Sequence, residues 1–281
     1  MSEVETVSKE GSEVTVFRNA PGWDGMTCAA LGRAVFENFA AGQELLEEVC
    51  DQLKEEGFDG VLGPMDGDTW HSYRVVTQSD GSAPFLMEPA SGQYDLEIYR
   101  SCGFEAISTY FSSRAALTDT LSEHAPSMPD IVVEPWDGKD AEGLIGQLFN
   151  LSGQSFADNH FFKAIELDAF LELYRPLLPL IDPRHVLFAR TAGEGRLVGF
   201  LFGIPDALNR SERKTVILKT YASGIRGVGH LLADTFHRRA LDMGFDDVIH
   251  ALIHSDNVSG KRSAQHQAMV FRQYALMGRR L

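Results

Sequence analysis

Lys219-Thr220-Tyr221-Ala222-Ser223-Gly224-Ile225-Arg226-Gly227-Val228-Gly229-His230-Leu231-Leu232 is the stretch from which the rest of the chain is best read. Its first residues end an apolar strand, Lys214–Ala222, and its last open an amphipathic helix, Gly229–Met243. At a helix N-terminus the first amide N–H groups have no internal partner and carry the positive end of the dipole. Gly227 and Gly229 keep Cβ atoms clear of those amides, so an anion can approach the backbone. Arg226 can add a charge-assisted contact. The junction can therefore form a diphosphate cradle, although from the loop alone an ordinary tight turn is the better reading. Two familiar phosphate loops do not match. A dinucleotide loop needs a glycine where Leu232 stands, and a Walker loop needs Gly-Lys-Ser/Thr where Gly229 is followed by His230-Leu231.

Working outward, Val186–Arg190 and Leu197–Ile204 read as a hairpin turning at Gly193-Glu194-Gly195. Val248–His254 reads as the strand after the helix, with a short helix near Ser259–Ala268 and a closing strand Met269–Leu276. Further upstream come the strand Ile131–Glu134 and helices near Ala141–Ser152 and Leu167–Leu178. The first half repeats the alternation: strands at Val14–Arg18, within Cys28–Phe39 and at Gly60–Met65, with a helix at Gly42–Glu56 whose Leu45, Leu46, Val49 and Leu53 share a face. His71–Thr77 and Phe85–Glu88 read as strands, Gln93–Cys102 as a helix and Phe104–Ser112 as a strand. Strands separated by helices imply an α/β fold with mixed sheets flanked by helices.

The two halves also resemble each other. Gly57-Phe58-Asp59-Gly60-Val61 parallels Gly244-Phe245-Asp246-Asp247-Val248 at an offset of 187 (244 − 57), and the same offset pairs Gly42 with Gly229 and Leu45 with Leu232. A matched GFDxV after helices of equal length favours duplication over chance likeness of amphipathic helices. The expected division is a disordered lead-in at 1–13, a reduced unit at 14–118, a linker at 119–130 and a second unit at 131–281.

Composition narrows the classes. The chain has 281 residues and 44% hydrophobic content, enough for two packed units. The net charge of −15 resides in residues 1–129, which hold 22 acidic against 7 basic residues; an acidic half of that kind makes nucleic acid a poor partner. Cys28, Cys50 and Cys102 form no CxxC pair, so neither a disulfide framework nor a cysteine zinc site is expected, and a reduced, cytoplasmic setting fits. No apolar run approaches the ~20 residues of a membrane span.

With these elements placed, the second half resembles the GNAT superfamily of N-acetyltransferases. The family signature is a strand, a Q/R-x-x-G-x-G/A loop, a helix, and a strand followed by an Asn. Gly224-Ile225-Arg226-Gly227-Val228-Gly229, the helix after it, Val248–His254 and Asn257 follow that order. Ile98-Tyr99-Arg100-Ser101-Cys102-Gly103-Phe104 resembles the family's Y-x-x-x-G-F element, so the whole chain is similar to a tandem GNAT protein with a reduced first copy. The resemblance implies an N-acyltransferase that uses acetyl-CoA or another acyl-CoA. The implied cofactor residues are Tyr221, Ala222, Ile225, Arg226, Gly227, Val228, Gly229, His230 and Asn257. Gly224 replaces the family's Gln or Arg, Ser223 its common Pro, and no Y-x-x-x-G-F element follows Asn257.

Acyl transfer to an amine needs a base for the amine and an acid for the thiolate. His250 and His254 share one face of a strand, and His254 is a candidate base or water relay. Only Asp256 sits near them as a carboxylate, so no metal site is expected. Tyr274 is the late tyrosine available as the acid, or else a structural residue of the last strand. Asn257 can bond the cofactor or cap a helix. Trp70, His71, Tyr73 and Arg74, with Glu88, can line a substrate cleft between the halves, or Trp70 and Tyr73 can fill core. The expected acceptor is a small-molecule or peptide amine, and the expected state a monomer or homodimer. The rival reading is a CoA-binding or interaction module that does not turn over.

Overall fold

The computed structural model describes residues 2–157, 159–256 and 268–281. In chain order the elements are β1 (Val4–Lys9), β2 (Ser12–Phe17), β3 (Cys28–Val35), α1 (Phe39–Glu55), β4 (Gly60–Gly63), β5 (Val75–Ser79), α2 (Asp95–Ser101), β6 (Glu105–Ala116), α3 (Leu117–Thr120), β7 (Ile131–Pro135), α4 (Ala141–Phe156), α5 (Leu167–Tyr174), β8 (Val186–Thr191), β9 (Leu197–Pro205), β10 (Thr215–Ser223), α6 (Val228–Asp242), β11 (Asp247–His254) and β12 (Met269–Arg280). One sheet runs β1-β2-β3-β4-β12-β6-β11-β10-β9-β8-β7, with β5 also paired to β12. This is a mixed α/β architecture: β3–β4 and β10–β11 are parallel, the other pairs antiparallel.

Each half has its own strand–helix–strand unit, at the offset read from the sequence. β3 and β10 start at 28 and 215, and α1 and α6 end at 55 and 242. The parallel registers also agree, Cys28 facing Gly60 and Thr215 facing Asp247. Each helix buries one apolar stripe: Leu45, Leu46, Val49 and Leu53 in the first half, and Val228, Leu232, Phe236 and Ala240 in the second. α6 lies close on β9 because Gly203 has no side chain; a Cβ there would come 2.3 Å from the Phe236 ring.

The halves are joined by exchange of strands. β6 leaves the first half and pairs with β11, Asp247 facing Ala116. β12, the last strand of the chain, pairs with β4, Met277 facing Gly63, and with β6, Tyr274 facing Tyr110. Cutting at the 119–130 segment therefore does not yield two self-contained sheets.

Several expectations need correction. Residues 1–13 do not form a disordered lead-in: β1 pairs with β2 along its full length, through a two-residue loop in which Glu10 and Gly11 both have positive φ. Such a loop matches the twist of the hairpin strands. Thr6 and Thr15 hydroxyls meet at 3.0 Å across the pair, and Lys9 bonds Glu44 at 3.0 Å on α1. Phe85–Glu88 is a turn closed by Glu88 N–H on Phe85 O rather than a strand. The short helix placed near 259–268 lies, but for Ala268, outside the described residues. Among the described residues no helix is long and apolar enough to cross a membrane.

Candidate functional site

β10 and β11 begin as a parallel pair and then part. Their ladder runs from Thr215 with Asp247 to Leu218 with His250. Both strands bulge at that point. β10 gains an extra residue at Lys219 against β9, and β11 slips between His250 and Ile253 against β6, with Leu252 at φ 58°. Bulges bend a strand and increase its twist. The upper part of each strand thereby follows its outer neighbour, β9 or β6, and a wedge opens between them.

A cavity of about 1200 Å³ occupies the wedge and continues between the halves. Its second-half walls come from β10, α6, β11, α4 and α5; its first-half wall comes from the Thr69–Arg74 loop, the Met87–Pro89 turn and Tyr110 on β6. Tyr221 and His230, two of the expected cofactor residues, line it. Ile225 to Gly229 form the entry to α6 outside that wall. Ala222 and Val228 are buried and Ile225 packs against the core, so their side chains serve packing. Arg226 is exposed. Gly227 is the N-cap at φ 95°, and no side chain caps the helix. Val228 N–H is bonded to Ile225 O at 3.2 Å and His230 N–H to Gly227 O at 3.0 Å, so part of the expected amide cradle is already used. Gly229 is required sterically: a Cβ would lie 2.9 Å from the Tyr221 ring. Asn257 lies outside the described residues.

The expected catalytic pair is arranged differently from its reading. Tyr274 is 1% exposed and does not line the cavity. Its hydroxyl donates to Glu88 Oε1 and lies 3.1 Å from Ser112 Oγ. Burial and the Glu88 contact push its pKa far up, so it serves as a structural tyrosine. Glu88 touches the cavity, but its carboxylate also accepts Phe85 N–H at 3.2 Å and faces Arg272 Nε at 3.4 Å. It has little left to offer a substrate amine.

His254 does line the cavity, and burial lowers its pKa, so it is neutral near pH 7. Asp256 N–H donates to its Nδ1 at 3.2 Å, which puts the proton on Nε2, 3.1 Å from Ser108 Oγ. Ser108 in turn donates to Tyr110 OH at 2.9 Å. The accepting nitrogen of His254 is thus committed, and the network ends on a tyrosine hydroxyl beside the cavity. Tyr110 was not singled out in the sequence because it belongs to the other half and reaches the wedge only through the exchange of β6.

Lys219 was missed as well. It sits at the β10 bulge, lines the cavity and donates to Met87 O at 3.0 Å. Burial, helped by the Arg74 charge, lowers its pKa to about 8. A lysine directly after the apolar run Val216-Ile217-Leu218, in mid-strand, was the available signal. Two buried histidines, His237 on α6 and His250 on β11, meet at 3.1 Å between ring nitrogens at the wedge. Among the described residues no group of three or more metal-ligating side chains is gathered.

The polar-aromatic run after β4 is both wall and packing. Asp68 Oδ1 accepts the amides of Trp70 and His71 and holds His71 Nδ1 at 2.7 Å, which raises the His71 pKa. Trp70 bonds Lys163 O at 2.8 Å and meets Phe156, Phe162 and Phe170 edge-on, fastening the loop to the second half. Arg74 is buried with its guanidinium 3.9 Å from the centroids of both Tyr73 and Tyr110, and burial lowers its pKa to about 10.

No protein-family model matches the sequence, and comparison with curated proteins gave no match. Solved structures do match. A tandem GNAT protein from the clavulanic acid biosynthesis pathway is similar over 96% of this chain and 78% of its own, with TM-score 0.58 and 13% identity. A GCN5-related N-acetyltransferase from Sphaerobacter thermophilus is similar over 96% and 76%, with TM-score 0.56 and 13% identity. A third, from Anabaena variabilis, covers 95% of this chain and 59% of its own, with TM-score 0.57 and 10% identity. With the splayed parallel strands, the glycine-led helix and the repeated unit, these likenesses identify the fold of the chain as that of the GNAT N-acetyltransferases in its tandem form.

Proposed function

We propose that the chain is an N-acyltransferase that moves an acyl group from acetyl-CoA or another acyl-CoA to an amine. The observation that supports this reading most is the wedge between β10 and β11, which leads to the uncapped start of α6. The residues there suit a CoA diphosphate: Gly227 is in the left-handed region, Gly229 leaves no Cβ in the way, and Arg226 is exposed beside them. A bound acyl-CoA supplies a thioester, whose C–S bond is exchanged for a C–N bond to the acceptor; the amine gives up one proton and the departing thiolate takes one.

Lys219 is the base in this reading. In its neutral form it keeps a lone pair after donating one hydrogen to Met87 O, and its pKa of about 8 puts that form within reach near neutrality. Tyr110 is the acid, oriented by the Ser108 hydroxyl that His254 Nε2–H holds in place, and it regains its proton from solvent after the thiolate has left. The aromatic wall of Trp70, Phe156 and Phe170 keeps water from the reacting centre. Calorimetric titration with CoA and acetyl-CoA tests the reading: a dissociation constant between about 1 μM and 1 mM is expected, and the absence of saturable heat sinks it.

A second reading, a CoA-binding module without turnover, draws on the committed state of Glu88 and of His254 Nδ1. Saturable CoA binding with no thiol release across an amine panel selects it.

A further inference from the structure

Arg74 carries a charge that no carboxylate among the described residues neutralises. It is 8% exposed, and its Nε and Nη1 have no hydrogen-bond partner among the described residues. Its Nη2 donates to Tyr73 OH, and the rings of Tyr73 and Tyr110, set edge-to-face, both lie against the guanidinium. The acid on the same wall, Glu88, is taken up by Tyr274, the Phe85 amide and Arg272. A second cationic side chain, Lys219, borders the same cavity. A buried cation without a counter-charge is costly, and it persists where a ligand completes the pair. The site stands out further because residues 1–129, which supply Arg74, are strongly acidic overall.

The cavity also has room for more than one occupant. At about 1200 Å³ it exceeds the ~300–1000 Å³ of pockets that hold one drug-sized ligand. Arg74 lies on the first-half wall, whereas the glycine loop that suits a diphosphate contributes no residue to that wall. An arginine between aromatic rings is suited to a planar oxyanion. A developing thiolate exists only in passing, but a permanent buried charge calls for a permanent partner.

We propose that the acceptor is a small molecule bearing both an amine and a carboxylate, with the carboxylate paired to Arg74. The inference names the substrate class for the acyl-transfer reading above and rests on it. Its charge then holds the amine inside the cavity whose base is Lys219.

The test pairs free amino acids with their carboxamides in thermal-shift titrations of the full chain, with and without CoA. At least one free amino acid is expected to raise Tm while its carboxamide does not. Arg74→Met, and Arg74→Gln should that variant fail to fold, is expected to weaken the response at least ~10-fold and to leave calorimetric CoA affinity unchanged. Arg74→Lys, which keeps the charge, is expected to retain part of the response. The proposal is overturned if no amino acid stabilises the protein or if carboxamides act equally well. It is also overturned if the neutral variants keep the response, or if they lose CoA binding, which would assign Arg74 to the CoA phosphates. An intact amino-acid response without any CoA binding removes the acyl-transfer reading and leaves the carboxylate site standing.

Discussion

The two parallel strand pairs start from the same register and end in opposite states. In the first half, β3 and β4 stay joined beyond their ladder: Met65 N–H bonds Leu31 O at 2.8 Å, and Arg33 N–H bonds Asp66 Oδ1 at 2.8 Å. Tyr99 then fills the space beyond, its ring so close that a Cβ at Gly63 would lie 2.6 Å away. The helix that follows is closed as well. Asn38 Oδ1 caps α1 through Ala41 N–H at 2.9 Å, and Phe36 and Ile98 press on Gly42. In the second half the position 187 residues after Leu31 is Leu218, the last rung before the wedge, and α6 has no side-chain cap. One frame can therefore be spent on stability or left open to hold a ligand. The choice rests on a few residues at the point where the strands part.

The largest test of that contrast is to close the open helix. Gly227→Asp places an acidic cap where α1 has Asn38 and turns a negative charge toward an incoming phosphate. CoA affinity is expected to fall at least ~100-fold, about 2.7 kcal/mol by calorimetry; a near-native affinity would mean that the nucleotide binds elsewhere. Next comes the acid. Tyr110→Phe is expected to lower kcat about 100-fold with KM little changed, the scale of one lost proton donor.

Tyr274→Phe should instead reduce stability by roughly 1–3 kcal/mol in denaturant unfolding, because it leaves the buried Glu88 short of a donor. If the two phenylalanine variants exchanged behaviours, the assignment of the acid would pass back to β12. The pH profile sharpens the role of Lys219. Its neutral form gains population as pH rises, so kcat/KM is expected to climb and level off above about 8. The Lys219→Met variant should lack that limb. His254, held below its usual range, is neutral over the pH span where Lys219 titrates and adds no limb there. The smallest effect is in the closed half: Asn38→Ala should cost about 1 kcal/mol and create no second CoA site, since Phe36 and Ile98 still block the helix.

The sequence made the second-half unit legible because its signals are local. Gly227 and Gly229 mark the helix entry, the GFDxV pair marks both helix ends, and apolar runs mark the flanking strands. The hairpin at Glu10-Gly11 was equally local, but the acidic flanks around it read as disorder. The chemistry was harder to see because it depends on contacts made across the chain. Tyr110 and His254 are joined through Ser108 only after β6 crosses to β11, and Tyr274 is withdrawn from the cavity by pairing with Glu88. No spacing along the chain encodes which half a strand will join. Arg74 reads as a cleft residue in the sequence, but its lack of a carboxylate partner among the described residues becomes visible only in the fold, where Glu88 is turned to Arg272 and Tyr274.

The exchange of β6 and β12 has a consequence for synthesis. Domains generally fold as units, the N-terminal one first, while the chain is still being made. Here β4 must wait for β12, which lies roughly 200 residues further along the chain, before that edge finds its partner. Until then β4 and β6 present unpaired backbone, the kind of surface that invites aggregation. The nascent first half is therefore expected to depend on chaperone protection until β12 has been made, and the whole sheet to close only then.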